Sequence, residues 1–150
     1  MIEVTLIGTG RLSFNLMNEI LNNKRFKLNQ VFGRSKFRPK HISDDVDYIK
    51  EIKSINKSDF YLIAVSDNEI YNVSNQFDAK EGIVLHVSGN TNINVLSNHK
   101  NYGVFYPLQT FGCETNFNFR EIPIIIEANN NINPKKIEKF SEIFSKKVCK

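Results

Sequence analysis

Four short clusters carry groups that could do chemistry: Gly8-Thr9-Gly10, Gly33-Arg34-Ser35-Lys36, Val65-Ser66-Asp67 and Ser88-Gly89, with Gln109 further on. Their common talent is the holding of anions and hydroxyls. The glycine pair follows a β-branched run, residues 2–7, and precedes Leu12, Leu16, Met17, Ile20 and Leu21 at helical spacing. A strand, a glycine turn and a helix present free main-chain amides, at the positive end of a helix dipole, to an anion. In a chain with α/β punctuation the expected anion is a dinucleotide diphosphate. Gly8 allows the tight turn and Gly10 the close approach of backbone to phosphate, so Gly8, Thr9, Gly10, Arg11 and Leu12 are the expected diphosphate cradle. The fingerprint's third glycine is replaced by Ser13, a small residue at the position that governs how closely helix and strand pack.

The end of the second strand should choose the dinucleotide. An NAD site places a carboxylate there, about 20 residues after the glycines, to accept from the ribose 2′-hydroxyl. Gly33-Arg34-Ser35-Lys36 has none. A carboxylate would repel a 2′-phosphate, whereas Arg34 can clamp it bidentately and Ser35 can donate to it, with Lys36 adding charge. NADP is the expected cofactor, ahead of NAD. Val65, Ser66 and Asp67 close the central strand, where ligands of such sheets lie, and Asp67 is also placed to cap the next helix. His86 ends the following strand and reads as a hydrogen-bonded structural residue, while Ser88 is better placed to touch a ligand. A serine-hydrolase reading fails because Ser88 lacks the G-x-S-x-G elbow. Residues 104–111, dense in apolar and hydrogen-bonding groups, could wall the nicotinamide side, pack in the core or form an interface awaiting a partner. No His, Cys, Asp or Glu cluster has metal-ligand spacing, so no metal is expected.

The elements needed to position these groups alternate along the chain. Strands are expected at 2–7, 28–33, 46–49, 59–65, 82–87, 103–106 and 122–127. Helical segments are expected at 11–24, 50–57, 67–76, 92–98 and 134–147, the last opened by Asn133-Pro134. The 59–65 run is apolar on both faces, as in the centre of a parallel sheet covered by helices. This rhythm predicts one α/β domain with a doubly wound, mostly parallel sheet of Rossmann-like type.

Composition agrees. A chain of 150 residues, 41% hydrophobic and 24% charged, can bury a core without staples. Its two cysteines, Cys113 and Cys149, form no C-x-x-C pair, which fits a reducing, cytoplasmic setting. No leader or membrane-length apolar run is visible. The net charge of +4 suits a phosphate-bearing partner. The lysines are scattered, however, and a basic domain binding RNA through Phe-rich strands is the weaker reading, so no nucleic-acid partner is expected.

In order, Gly8-Thr9-Gly10, Gly33-Arg34-Ser35, Ile63-Ala64-Val65-Ser66-Asp67, His86-Val87-Ser88-Gly89 and Tyr106-Pro107-Leu108-Gln109-Thr110-Phe111 resemble a known group. It is the family of Rossmann-like NADP oxidoreductase-type proteins whose dinucleotide domain precedes a helical domain of unknown function. That family is similar in layout to pyrroline-5-carboxylate reductase, the deazaflavin-dependent NADP oxidoreductases and the 3-hydroxyisobutyrate and 6-phosphogluconate dehydrogenases. The resemblance covers nearly the whole chain. It implies hydride transfer to or from a small carbonyl, hydroxy acid or imine. Val65, Ser66 and Asp67 would flank the nicotinamide ribose and Ser88 and Gly89 the ring, with Ser88 and Gln109 polarising a substrate carbonyl. Tyr106 departs from the family's usual histidine before Pro-Leu-Gln. The family's helical domain, expected to make a homodimer and much of the substrate pocket, lies outside residues 1–150. That leaves a second expectation, a module that binds NADP(H) without turnover.

Overall fold

A computed structural model describes residues 1–109, 118–130, 132 and 134–150. It has strands β1 (Ile2–Ile7), β2 (Phe26–Phe32), β3 (Tyr48–Ile49), β4 (Phe60–Ile63), β5 (Ile83–His86), β6 (Asn101–Pro107), β7 (Ile124–Ala128) and β8 (Val148–Cys149). Its α-helices are α1 (Arg11–Leu21), α2 (Ile70–Ser74) and α3 (Pro134–Phe144). Single 3₁₀ turns stand at Ile52–Ser54, Asp67–Glu69, Ile93–Leu96 and Phe119–Glu121. The strands form one sheet in the order β3-β2-β1-β4-β5-β6-β7-β8. Every pairing is parallel except β6 with β7. Chain direction through the sheet reverses between β1 and β4, the place where a doubly wound sheet opens a crevice at its carboxyl edge.

The apolar pattern explains the layering. β4, the expected central strand, is buried throughout, and its alternate residues feed opposite faces. Phe60 and Leu62 join Val4, Leu6, Leu16, Ile20, Phe140 and Phe144 under α1 and α3. Tyr61 and Ile63 join Ile7, Ile70, Val73, Val84 and Leu96 under α2 and the short turns. The α3 side is an aromatic layer, with Phe60 and Phe140 stacked at 4.0 Å between ring centroids and Phe105 edge-on to both Phe140 and Phe144. Phe105 is therefore a core residue, and the core-packing reading of 104–111 holds for it.

Several boundaries differ from expectation for local reasons. The 67–76 helix opens as a 3₁₀ turn and is α-helical only over Ile70–Ser74. Asp67 does not cap it: Ser66 holds the N-cap position, and neither side chain makes a capping bond. α3 stops at Phe144 rather than 147 because Ser145 turns the chain. Its hydroxyl donates to the Ile122 carbonyl at 2.5 Å, and the next amide, Lys146 N–H, donates to Arg120 at 2.9 Å. The chain then extends as β8 beside β7, a two-residue strand too short for its sequence to announce. The 92–98 and 50–57 segments form single 3₁₀ turns. Thr110, Phe111 and Cys113, and the Asn133 expected to open α3, lie outside the described residues.

Candidate functional site

The glycine turn sits at the β1–β4 crevice. Gly8 has φ +122°, a conformation side chains resist, and a Cβ there would run into the Ala64 carbonyl, whose carbon lies 2.8 Å away. Gly8 N–H donates to Phe32 at 2.8 Å and Ala64 N–H to Ile7 at 2.8 Å, so β1, β2 and β4 all end at this turn. Ser13, the stand-in for the third glycine, is buried, and its hydroxyl donates to the Gly8 carbonyl at 2.6 Å. It closes the turn onto the helix by a bond that glycine could not make.

Gly10 is the N-cap of α1, with an ordinary extended φ of −77°. A Cβ built on it meets nothing within 4 Å. Among the described residues no hydrogen bond engages the amides of Thr9, Gly10, Arg11 or Leu12, no side chain caps the helix, and its first turn holds no acid. The positive end of α1 thus faces open space. The Leu12 side chain turns away and packs on the core, so only its amide can serve, whereas Arg11 is exposed.

That space is a cleft of about 200 Å³. Its walls are Gly8, Thr9 and Gly10 from the turn, Phe32, Gly33 and Arg34 from the end of β2, and Ala64, Val65, Ser66, Glu69 and Val73 from β4 and beyond. Of the expected binders, Gly8, Thr9, Gly10, Arg34, Val65 and Ser66 line it together. Ser35 and Lys36 are exposed on the continuation of the Arg34 corner, and Asp67 stands outside the walls. Glu69 and Val73 escaped the sequence reading. They follow Ser66 by three and seven residues, so one helical face carries all three inward, a spacing visible in the sequence. Glu69 is the one carboxylate among the described residues lining this cleft, and it comes from the β4 side rather than from the end of β2.

The remaining candidates lie elsewhere. Ser88 and Gly89 line a separate recess of about 480 Å³ with Asn90, Thr91, Tyr106 and Leu108. Ser88 is nearly buried, and its oxygen accepts from Asn90 N–H at 3.1 Å and the Thr91 hydroxyl at 2.9 Å. Gln109 is exposed and lines neither space, so the structure does not bring Ser88 and Gln109 to one recess. Gly89 lies under the Tyr106 ring, which a Cβ would strike at 2.6 Å.

His86 is fully buried beneath this region. Its Nδ1 accepts from Ser88 N–H at 3.2 Å, which leaves the proton on Nε2, an atom with no hydrogen-bond partner among the described residues. Burial holds its pKa below the ordinary 6.5, opposed by the Thr91 and Asn92 carbonyls and the Asp67 charge. A neutral ring that orders the Ser88 turn fits the structural role expected of it. Among the described residues no group of three or more His, Cys, Asp or Glu could hold a metal ion, and no helix is long and apolar enough to cross a membrane.

No protein-family model matches the chain, and no curated protein matches it in sequence at a significant level. Solved structures do. A candidate NADP oxidoreductase from Bacteroides fragilis is 27% identical, with a TM-score of 0.85 over 98% of this chain and 59% of its own. Pyrroline carboxylate reductase from Plasmodium falciparum, solved with NADP bound, is 18% identical, with a TM-score of 0.73 over 98% of this chain and 56% of its own. Prephenate dehydrogenase from A. aeolicus, solved with NAD⁺ and hydroxyphenyl propionate, is 13% identical, with a TM-score of 0.73 over 99% of this chain and 59% of its own. The chain thus spans less than two thirds of the length of these neighbours. Its fold is the Rossmann-like α/β fold, and its structural neighbours include NADP oxidoreductases, pyrroline-5-carboxylate reductases and an NAD-bound dehydrogenase.

Proposed function

We propose that residues 1–150 form the NADP(H)-binding domain of an oxidoreductase that moves a hydride to or from a small carbonyl, hydroxy acid or imine. The observation that carries this reading is the row of unengaged amides from Thr9 to Leu12, at the positive end of α1, over the unfilled space beside Gly10. A diphosphate satisfies those amides without displacing any protein group. The exposed trio Arg34, Ser35 and Lys36 then receives a 2′-phosphate, and no carboxylate at the end of β2 opposes it. Val65, Ser66 and Asp67 flank the nicotinamide ribose, and Ser88 and Gly89 approach the ring. The bound nicotinamide supplies the hydride chemistry, and the protein supplies orientation. Because the Ser88 oxygen already accepts from Asn90 and Thr91, its own proton is left to donate to a substrate carbonyl. A further domain providing substrate contacts and a homodimer interface, and a reducing cytoplasmic setting, belong to the same proposal.

The test is a fluorescence titration of the chain with NADPH and NADH. Saturable binding that favours NADPH is expected. Arg34→Ala should weaken NADPH by about 1.5–3 kcal/mol, the scale of hydrogen bonds to a charged group, and leave NADH nearly unchanged. No saturable change with either nucleotide overturns the reading. Equal losses for both remove the role of Arg34.

One observation favours a second reading, that this chain binds NADP(H) without turning it over: Ser88 and Gln109 do not line the glycine cleft. Turnover by the isolated chain across hydroxy acids, aldehydes and cyclic imines would exclude it.

A further inference from the structure

A second cavity lies at the opposite edge of the sheet from the glycine turn. It measures about 530 Å³, within the range of sites for small organic ligands. It runs along one flank of α3, past the amino-terminal ends of β1, β4 and β5. Its floor is apolar: Ile2, Phe60, Ile83, Ile132, Phe140 and Ile143. Three lysines stand on its rim, Lys57 from the loop before β4 and Lys136 and Lys139 from α3. Lys136, Lys139, Phe140 and Ile143 repeat at helical spacing, so one flank of α3 presents both charge and wall.

The polar groups around this cavity divide sharply. Asp59 is occupied, since its carboxylate accepts from Glu3 N–H at 2.8 Å. Glu81 is paired with Lys100 at 3.0 Å, and its carbonyl accepts from Asn101 at 3.1 Å. The Ser58 hydroxyl is held by Thr5 at 2.7 Å and Asn29 at 2.8 Å. Lys57, Lys136 and Lys139 have no ion pair among the described residues. Among the described residues the rim therefore carries three lysines with no ion pair over an oily trough, against one acid likewise without an ion pair, Asp59, whose carboxylate is bonded only to a main-chain amide.

We propose that this cavity is a second ligand site, separate from the glycine cleft, for a single acyl chain ending in a carboxylate. The chain lies on Phe60, Phe140, Ile83 and Ile143, and the carboxylate meets the three ammonium groups at the rim. Burial of methylenes supplies most of the affinity, and the lysines select the sign of the head group. A cation of equal chain length gains the same apolar burial and meets repulsion.

Calorimetric titration of the 150-residue chain with decanoate, below its micellar range, tests this against decyltrimethylammonium. One decanoate per chain is expected, with weaker or undetectable binding of the cation. The triple variant K57A/K136A/K139A should bind decanoate about tenfold more weakly, as three exposed ion pairs of a few-fold each would give. It should keep the wild-type circular dichroism, because all three side chains are exposed. Ile143→Asp should weaken decanoate further while leaving NADPH titration unaltered, which separates this site from the cofactor reading. Equal binding of both amphiphiles, many decanoates per chain, or unchanged affinity in the triple variant each overturns the proposal. So does sedimentation showing that the Ile143→Asp change abolishes a self-associated form, which would give the trough to a second copy of the chain.

Discussion

Gly8 and Gly10 stand two residues apart in one turn, yet the structure makes them answer differently to the same methyl group. Gly10 has φ −77° and ψ −172°, which alanine adopts freely, and its added Cβ meets nothing within 4 Å. Two small terms act on folding. Restricting the unfolded chain stabilises by about 0.4–1 kcal/mol. Alanine is the poorer N-cap by a similar amount. Gly10→Ala should therefore shift stability by no more than about 0.5 kcal/mol, or roughly 2 °C in Tm for a domain of this size. Binding should behave otherwise. The methyl occupies the space through which a phosphate must reach the Thr9–Leu12 amides, and losing one or two such charge-assisted bonds costs about 1.5–3 kcal/mol, or 10–150-fold in Kd for NADPH. Thermal melts and NADPH fluorescence titrations on the same samples check both halves. A fall in Tm of more than about 5 °C would show that the space is not free. A variant of normal Tm whose NADPH affinity stays within about twofold of wild type would show that no diphosphate lies over Gly10, and the proposed function would go with it.

Gly8→Ala should instead lower stability by more than about 2 kcal/mol, since φ +122° and the Ala64 backbone leave its methyl no room; urea denaturation measures it. Phe144→Ala, which removes a buried ring packed against Phe26, Phe105, Phe119 and Phe140, should cost about 3–5 kcal/mol by the same measurement, with the cofactor site untouched in the folded fraction. Acid should weaken the fold through its buried histidines. Burial holds His86 and His99 below the 6.5 they would show unfolded, so the unfolded state takes up protons first as pH falls, and the stability present above about 6.5 is lost beneath it. Melts between about pH 8 and pH 5 should show this slope, and His86→Gln and His99→Gln should each flatten it; a slope unchanged in both variants would assign the acid sensitivity elsewhere.

What the sequence showed was set by how local each cause is. The glycine turn is fixed by neighbours in the chain, so β1, α1 and the exposed amides between them were legible from residues 2–21. β4 was legible because four consecutive buried residues admit few alternatives. Contacts made across the sheet were not legible. Nothing near Val148 says that it will pair with Ile124, because the turn that sends it there depends on the Ser145 bond to Ile122, 23 residues away. The Ser66-Glu69-Val73 face was missed for a different reason. Its spacing is plain, but that this face meets the glycine turn depends on the pairing of β4 with β1, which spacing alone does not state. Ser88 and Gln109 were grouped by their order after strands, and order alone does not say that two loops share a recess.

The corner that carries Arg34 shows how such distant contacts finish a locally written site. Gly33 leaves no room for a side chain: a Cβ would meet the Tyr48 hydroxyl at 2.6 Å and the Thr9 methyl at 2.7 Å. Tyr48, from the two-residue strand β3, donates to the Ser35 carbonyl at 2.9 Å, while the Arg38 guanidinium sits 5.8 Å from the centre of its ring. Arg38 in turn donates to the carbonyls of Ser43 at 2.8 Å and Val46 at 2.6 Å. The residues flanking Arg34 are thus pinned by Thr9 on one side and by β3 on the other. A minimal strand that contributes little to the core earns its place by fixing this corner, and the Arg34 side chain is left as the free member. Held this way, the guanidinium needs to order only its own rotamers to meet a phosphate, which favours a binding role over that of an ordinary solvated loop residue.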